Sequence, residues 1–474
     1  MKTQRGWLVA VAIIFTLLPT LAAPPEVEAL FPRAVALWQT TLVTPYAAQY
    51  TGVKFIGAAD LDGDGLRDLL FAEASKFYQL YRGLGGGRFE QHHLCHFWYP
   101  VEGSPFTYRC GGFFCVEAGD LVDFDADGNV DLVLCGLRGS NDRNVYQVVL
   151  RRNLGELRFE DVAEVELPEG LQKIWGLPPS NGSSLEILGC AVTEERGKHY
   201  TRVYYVRLHH RGNWEFGGTE LTRQGEGTPF ARLDLNGDDA ADVLLIRDDG
   251  VWALFGSREN GFAEELVFPT SERPRDVAVG DLNGDGVEDL ALAIPQGVVV
   301  ALGTGGGFRE MGHFSLQEEP FEIEVADFNG DGVVDLAAIS RTTQVAKEGS
   351  YREMYKAHVS VLLGRGDGSF IGPTHIPTDG RHPRSIVAVD VDGDGDLDLV
   401  VANEGSGDLS VLEGDGEGGF GLAPYSPVVI TPCIQCLTWV GTGDFDEDGR
   451  PDLVVIQAAD DLVFILLNRL GSTG

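Results

Sequence analysis

One short pattern, an aspartate-rich loop, recurs seven times along this chain of 474 residues. In its clearest copy, which begins at Asp390, aspartates stand at positions 1, 3, 5 and 9 and a glycine at position 6. Carboxylate oxygens are the ligands that Ca²⁺ prefers, and glycine at position 6 allows the positive φ by which a chain wraps around an ion. Apolar residues follow position 9, so each loop leads directly into a strand. The chain therefore repeats one loop-and-strand unit.

The spacing of the copies indicates how many units there are. The copies begin at Asp60, Asp123, Asp234, Asp281, Asp327, Asp390 and Asp444. The intervals between them are 63, 111, 47, 46, 63 and 54 residues, and the interval of 111 is about two periods. We therefore expect a degenerate unit near residues 175–225, without the aspartates and without a metal.

Each unit carries the same run of short, β-branched segments separated by turns, which is typical of strands. Four antiparallel strands repeated at this period indicate a β-propeller. We predict an all-β propeller of eight four-stranded blades, with seven as the alternative if the degenerate region is an insertion. The last unit lacks a fourth strand, and the segment from Ala34 to Val43 is predicted to supply it and so to close the ring.

The aspartate loop, followed by a Gly-rich turn that ends in Phe, resembles the FG-GAP/VCBS repeat of integrin α subunits and many secreted bacterial proteins. The resemblance covers about residues 50 to 470 and implies a Ca²⁺-binding propeller. The family includes adhesion modules, lectins and accessory domains of lyases and dehydratases, so the scaffold does not fix the activity.

We predict up to seven structural Ca²⁺ ions, held by positions 1, 3, 5 and 9 of each loop. The candidate ligands are Asp60, Asp62, Asp64 and Asp68; Asp123, Asp125, Asp127 and Asp131; Asp234, Asn236, Asp238 and Asp242; Asp281, Asn283, Asp285 and Asp289; Asp327, Asn329, Asp331 and Asp335; Asp390, Asp392, Asp394 and Asp398; and Asp444, Asp446, Asp448 and Asp452. The four loops with aspartate at all four positions are predicted to bind more tightly, because affinity rises with ligand charge. In the Asp234 loop, Asp239 stands at the glycine position, which predicts strain or an empty site.

Charge and the N-terminal segment bear on location. The net charge is 36 − 72 = −36, which argues against nucleic acid as a partner. Lys2 and Arg5 precede an apolar run too short to span a bilayer, which predicts a signal peptide over residues 1–22, with 29 as the alternative end. We expect residues 30–474 to form a single propeller domain. The mature protein is predicted to be secreted or otherwise extracytoplasmic, at the cell surface or in a periplasm, monomeric and without a transmembrane segment.

Two departures from the repeat involve cysteines. Of the seven cysteines, Cys110 with Cys115 and Cys433 with Cys436 are close enough in sequence to form local disulfides. The insertion from Gln91 to Cys115 is rich in histidine and aromatic residues, so it is either a platform for a sugar or a transition metal, or an inter-blade loop packed by its own side chains. We favour the structural interpretation.

These features favour an extracellular binding or adhesion module whose partner is a carbohydrate or a protein. The alternative is a carbohydrate-active enzyme, of the polysaccharide lyase or sugar dehydratase type, on the same scaffold. Because the sequence contains no nucleophile elbow, zinc-protease helix, phosphate loop or Rossmann fingerprint, no catalytic residue is assigned. Whether the chain is an enzyme stays open, with a negative answer favoured.

Overall fold

The computed structural model describes residues 35–37, 53–73, 79–85, 88–92, 98–100, 108–110, 113–125, 127–139, 144–167, 170–171, 173–177, 184–195, 198–210, 214–216, 223–238, 242–256, 263–341, 356–430, 437–457 and 462–468. Within these residues the secondary structure is all strand, and no helix is long and apolar enough to cross a membrane. The predicted signal peptide, Asp239 and the pair Cys433 and Cys436 lie outside the described residues.

The strands of the first half begin with the short β1 and continue through four sheets. They are β1 (Val35–Leu37), β2 (Val53–Ala59), β3 (Asp68–Glu73), β4 (Gln79–Gly83), β5 (Phe89–His92), β6 (Trp98–Pro100), β7 (Tyr108–Cys110), β8 (Phe113–Val122), β9 (Asp131–Gly139), β10 (Asn144–Asn153), β11 (Phe159–Leu167), β12 (Lys173–Leu177), β13 (Ser184–Glu195), β14 (Lys198–His210), β15 (Trp214–Phe216) and β16 (Arg223–Glu226).

The second half continues the same alternation of short strands and turns. Its strands are β17 (Thr228–Leu233), β18 (Asp242–Arg247), β19 (Gly250–Phe255), β20 (Ala263–Pro269), β21 (Asp276–Gly280), β22 (Asp289–Ile294), β23 (Gly297–Gly303), β24 (Phe308–Ser315), β25 (Glu319–Ala326), β26 (Asp335–Arg341), β27 (Lys356–Gly364), β28 (Phe370–Arg381), β29 (Pro383–Val389), β30 (Asp398–Asn403), β31 (Asp408–Gly414), β32 (Phe420–Leu422), β33 (Val428–Val429), β34 (Leu437–Gly443), β35 (Asp452–Gln457) and β36 (Leu462–Leu466).

Seven antiparallel sheets are each formed by consecutive strands, and we call them blades 1 to 7: β2–β5, β8–β11, β12–β16, β17–β20, β21–β24, β25–β28 and β29–β33. A further sheet, the terminal sheet, has the order β1-β36-β35-β34. The all-β propeller that the sequence predicts is therefore confirmed. The degenerate unit is blade 3, and its strands β13 and β14 pair along their whole length.

The pairing of β1 bears on how the ring closes. Val35 pairs with Ile465 and Leu37 with Val463, so an N-terminal strand lies beside the last strand of the chain. Only three residues of the predicted closing segment, Ala34 to Val43, belong to the described strand. Closure by the whole segment, and with it an eighth complete blade, stays a prediction that this pairing supports.

Apolar side chains fill the spaces between neighbouring sheets. Leu70 of blade 1 packs in one buried cluster with Leu132 of blade 2, and similar clusters join each later pair. Phe445 and Val454 of the terminal sheet pack in a cluster with Leu69 of blade 1. Full burial of one such side chain contributes about 1.5–3 kcal/mol, so these layers are the main source of stability.

The order of strands positions the loops. The first strands of neighbouring blades contact one another more than the fourth strands do, which places the first strands innermost. Each aspartate loop joins the first strand of a blade to the second, and each Gly-rich turn joins the third to the fourth. Because the strands are antiparallel, both connections lie at the same end of the blade.

The insertion between Gln91 and Cys115 is described only in part. Its strands β6 and β7 form a two-stranded sheet, with Trp98 opposite Cys110. The aromatic side chains of this insertion and the pair Cys110 and Cys115 lie outside what the structure describes at side-chain level. Cys135 and Cys190, in contrast, are buried in blades 2 and 3.

Candidate metal centre

The Asp390 loop, between β29 and β30, is folded by its own carboxylates. Asp390 accepts hydrogen bonds from the backbone N–H groups of Gly393 at 2.7 Å and Gly395 at 3.0 Å. Asp392 Oδ1 accepts one from Asp394 N at 3.1 Å. Both glycines have positive φ, 80° and 98°, a conformation that costs glycine little. The Asp-x-Asp-Gly-Asp-Gly order therefore produces a coil of side chains that turn inwards.

In four of the loops, three carboxylates offer oxygens that lie within 4.8 Å of one another. The triplets are Asp60, Asp62 and Asp68; Asp123, Asp125 and Asp127; Asp390, Asp392 and Asp398; and Asp444, Asp446 and Asp452. These are the four loops that carry aspartate at all four predicted ligand positions. Three hard oxygen donors at this spacing fit a hard divalent cation, for which Ca²⁺ is the ion that the loop length and donor type favour.

The predicted ligands are not all brought together. Asp64, Asp131, Asp394 and Asp448 belong to these loops but not to the close triplets. In the loops with asparagine at position 3, the amide lies against the position-5 carboxylate: Asn283 Nδ2 donates to Asp285 Oδ2 at 3.1 Å, and Asn329 Nδ2 to Asp331 Oδ2 at 3.1 Å. An amide thus satisfies one oxygen that a cation would otherwise share. The full ligand sets stay predictions.

The aspartate at position 9 is a structural clamp in every loop. In blade 7, Asp398 Oδ2 accepts the N–H of Val391 at 2.8 Å and its Oδ1 accepts the N–H of Gly414 at 2.9 Å. The same two bonds, to the position-2 residue and to the end of the third strand, are made by the corresponding carboxylates: Asp68, Asp131, Asp242, Asp289, Asp335 and Asp452. Each ionised oxygen keeps a second lone pair, so the clamp still leaves acceptor capacity for a metal.

Burial changes the acidity of these clamps. It raises the pKa of Asp398 to about 6, against the hydrogen bonds from Gly414 and Val391, which lower it. Burial likewise raises the pKa of Asp131 and of Asp452 to about 7. Neighbouring aspartates of the same loop add to the rise in each case. Repulsion among the aspartates of one loop favours the protonated form, and a bound cation would favour the ionised form instead.

One arginine enters an aspartate loop from the third strand. The Nε of Arg82, on β4, contacts Asp62 Oδ2, and its NH2 group lies 3.0 Å from Asp64 Oδ2. The Asp62 side chain is only 4% exposed. Sequence reasoning missed this contact because the partners are 20 residues apart and belong to different connections.

Carboxylates of the innermost strands tie neighbouring blades together. Asp120 Oδ2 accepts the N–H of Gly176 at 2.8 Å, and Asp276 Oδ2 accepts that of Ile323 at 2.9 Å. Beside Asp276, burial raises the pKa of Glu322 to about 8, with repulsion from Asp276 and Glu324 as further causes. No local motif marks these residues, so these ties between blades could not be predicted from the sequence.

A Ser–His contact also occurs, between Ser360 Oγ and His375 Nδ1 at 2.8 Å. Ser360 is 2% exposed, so its hydroxyl is part of the sheet interior rather than of a reaction centre. Burial lowers the pKa of His375, and the nearby His358 lowers it further.

Arg365, Gly366 and Asp367 lie in the Gly-rich turn of blade 6, where Asp367 accepts hydrogen bonds from Ser369, as a repeat turn requires.

These strands and loops define a class of protein, the β-propeller with an aspartate loop between the first two strands of a blade. The family model of the FG-GAP-like repeat matches residues 234–292, 349–401 and 390–455. Residues 234–292 and 349–455 therefore carry FG-GAP-like repeats within a β-propeller, as the resemblance of their loops implies. No curated protein matches it.

Solved structures resemble the chain at low sequence identity. A lectin from Agrocybe aegerita, described for its recognition of non-reducing terminal N-acetylglucosamine, is 19% identical over 86% of each chain, with a TM-score of 0.39. A rhamnogalacturonan lyase from Bacillus licheniformis is 12% identical over 88% of this chain and 72% of its own, with a TM-score of 0.47. A periplasmic gluconolactonase from Pseudomonas aeruginosa is 14% identical over 86% of this chain and 99% of its own, with a TM-score of 0.41.

Proposed function

We propose that this protein is a secreted, calcium-stabilised β-propeller that serves as an extracellular binding or adhesion module for a carbohydrate or a protein. One observation carries the calcium part of the proposal: the convergence of three carboxylates in each of four loops. Ionised carboxylates this close repel one another, and a divalent cation reverses the sign of that interaction.

The role of calcium in this proposal is structural. When bound, the ion supplies positive charge at the point where the first and second strands of a blade meet. The chain's own residues do the rest: Asp398 holds the loop to the end of the third strand, and Val391 anchors it in the core. A loop fixed in this way makes that end of the blade rigid.

The binding role rests on two supports. The first support is that FG-GAP repeats resemble those of adhesion modules and lectins. The second is that the aspartate loops and Gly-rich turns lie at the same end of each blade. Neighbouring blades also touch there, since Glu156 N of blade 2 donates to the carbonyl of Asp62 in blade 1 at 3.1 Å. A rigid surface formed by these loops suits recognition of an extended partner. Secretion rests on the N-terminal apolar segment.

Two measurements test the proposal. Removal of Ca²⁺ by a chelator should lower the melting temperature, and added Ca²⁺ should restore it, while Mg²⁺ at the same concentration should restore less because it accepts fewer, more rigidly placed ligands. An unchanged melting temperature would contradict the calcium part. A glycan array probed with the mature protein, with and without Ca²⁺, should then show calcium-dependent ligands. If it shows none, a panel of extracellular proteins tests the other partner class. Absence of binding in both measurements would contradict the binding part of the proposal.

A further inference from the structure

The aspartate loops differ at one structural position outside the loop itself. We call it the selector position. At the end of the third strand, one residue donates its backbone N–H to Oδ1 of the position-9 aspartate, and the selector position is the residue immediately before it. In blade 1 it is Arg82, whose neighbour Gly83 donates to Asp68 Oδ1 at 2.8 Å. In blade 7 it is Glu413, whose neighbour Gly414 donates to Asp398 Oδ1 at 2.9 Å. The same position thus carries opposite charges in two blades whose loops have the same four aspartates.

Arg82 takes up the oxygens that the Asp60 loop leaves for a cation. In that loop the backbone N–H groups of Asp64 and Leu66 bond the Oδ1 atoms of Asp62 and Asp64, at 3.0 Å and 2.9 Å. The guanidinium contacts the other oxygen, Oδ2, of both carboxylates. A planar guanidinium presents several N–H donors at once, which suits two neighbouring carboxylates. The loop thus already has a positive charge at its centre.

The Asp390 loop has the opposite environment. Within the described part of the chain, no lysine or arginine forms an ion pair with Asp390, Asp392, Asp394 or Asp398. Glu413 immediately precedes Gly414, whose N–H donates to Asp398 Oδ1, so it stands at the backbone position that Arg82 holds in blade 1. The selector position therefore carries an acidic residue in blade 7 and a basic residue in blade 1.

We propose that the Arg82 guanidinium serves the Asp60 loop as a built-in cation, so that this loop keeps its form without a divalent ion, whereas the Asp390 loop, with Glu413 at the selector position, depends on calcium for its form. A divalent ion at the Asp60 loop shares its carboxylate oxygens with a guanidinium and is repelled by it, which lowers affinity. At the Asp390 loop, within the described part of the chain, no guanidinium competes for the carboxylate oxygens that an ion would use. The four all-aspartate loops are then unequal sites. This inference rests on the proposed binding of calcium.

Arg152 shows that contact, and not arginine alone, is required. It occupies the selector position of blade 2, yet its NH1 group lies 4.0 Å from Asp125 Oδ2, while its NH2 group lies 2.6 Å from Glu160 Oε2. Glu160 thus draws this guanidinium away from the loop. We expect the Asp123 loop to depend on calcium more than the Asp60 loop and less than the Asp390 loop.

Hydrogen exchange of the full-length protein, measured as a function of Ca²⁺ concentration, reads each loop separately. In the wild type, amides of residues 390–398 should gain protection as Ca²⁺ is added, whereas those of residues 60–68 should be protected without it. Arg82→Leu places at the selector position the residue type of blades 5 and 6, Leu302 and Leu363, so the strand remains compatible with the fold. In this variant residues 60–68 should lose protection in chelator by about tenfold or more and recover it with Ca²⁺.

The reciprocal variant and a charge control complete the test. Glu413→Arg should reduce the calcium dependence of residues 390–398 and leave residues 60–68 unchanged. Arg309→Leu removes one positive charge from an exposed site on β24 and should alter neither loop. If the wild type gains protection with Ca²⁺ but Arg82→Leu leaves residues 60–68 independent of it, the inference on Arg82 is wrong and the proposed calcium binding stands. If no loop responds to Ca²⁺ in the wild type or in either variant, both proposals are wrong.

Discussion

The carboxylate of Asp398 holds the backbone N–H of Gly414 at 2.9 Å and so joins the aspartate loop of blade 7 to the end of its third strand. Its other oxygen holds the N–H of Val391 within the same loop. The bond to Val391 is buried and the bond to Gly414 is partly buried, and both donors would lack this partner without the carboxylate. The position-9 aspartate therefore has a structural role that does not require a metal.

We expect Asp398→Asn to destabilise the protein even in the presence of chelator. An amide has one oxygen, so the N–H group of Val391 or of Gly414 would face the amide N–H₂ group, at a cost of about 1–3 kcal/mol. Chemical denaturation in chelator measures the loss. Asp396→Asn, at position 7 of the same loop, is the matched control and should change the unfolding free energy little. Equal stability of the two variants would contradict the clamp.

A second prediction concerns Gly414, the partner of this clamp. A Cβ added to Gly414 would collide with the carbonyl oxygen of Leu397, and the same collision with the position-8 carbonyl is found at Gly303 and Gly364. Gly414→Ala should therefore push the third strand away from the loop and lengthen the bond to Asp398. We expect a loss of about 1–3 kcal/mol, as for other overpacked sites.

Gly421→Ala is the control for this change, since nothing lies within 4 Å of a Cβ at that residue on the neighbouring strand. Thermal unfolding of the two variants provides the comparison. A Gly414→Ala variant as stable as Gly421→Ala would show that the third strand can move away from Leu397 without loss.

The third prediction concerns the pH dependence of stability at the innermost strands. Glu322 has a folded pKa of about 8 against an ordinary value of 4.5, raised first by burial and then by Asp276 and Glu324, while Ser385 and Arg384 oppose the rise. Between these two values the folded state binds a proton that the unfolded state has released, so this group's contribution to stability falls as the pH rises and is lost above about pH 8.

Glu322→Gln removes this titration. The unfolding free energy of Glu322→Gln minus that of the wild type should therefore increase from about pH 5 to about pH 8 and stay constant above that pH. Glu310→Gln, at an exposed site on β24, is the matched control for the loss of one carboxylate. A constant difference for Glu322→Gln would mean that the carboxyl group titrates normally.

Local sequence determined what could be predicted here. The positions of Asp390, Gly395 and Asp398 relative to one another suffice to specify a turn that leads into a strand, because the hydrogen bonds that fold the loop, from Gly395 to Asp390 and from Val391 to Asp398, lie within nine residues. The contact of Arg82 with Asp62 and the tie between Asp276 and Ile323 join separate strands or blades, 20 and 47 residues apart. Such pairs depend on how the blades are stacked, and a single sequence contains no signal of that stacking.

Asn468 makes another connection between neighbouring sheets and leads to the fourth prediction. Its backbone N–H donates to Asp452 Oδ1 at 2.7 Å, as the third-strand glycine does in other blades. Its side-chain Nδ2 donates to the carbonyl of Val391, 77 residues earlier and in blade 7, at 2.6 Å. One residue thus completes its own blade's clamp and ties the terminal sheet to the aspartate loop of the neighbouring blade.

Asn468→Gly should separate the two roles. Glycine is the residue that blades 1, 4, 5, 6 and 7 carry at this position, so the backbone bond to Asp452 can persist while the tie to Val391 is lost. We expect a loss of about 1–3 kcal/mol in unfolding free energy, because the buried carbonyl of Val391 loses its donor. Hydrogen exchange should show faster exchange in residues 390–398 but unchanged exchange in residues 281–289, whose blade is not in contact with the terminal sheet. Faster exchange in both loops would instead indicate general destabilisation, and unchanged exchange in both would show that the Asn468 side chain does not hold the neighbouring blade.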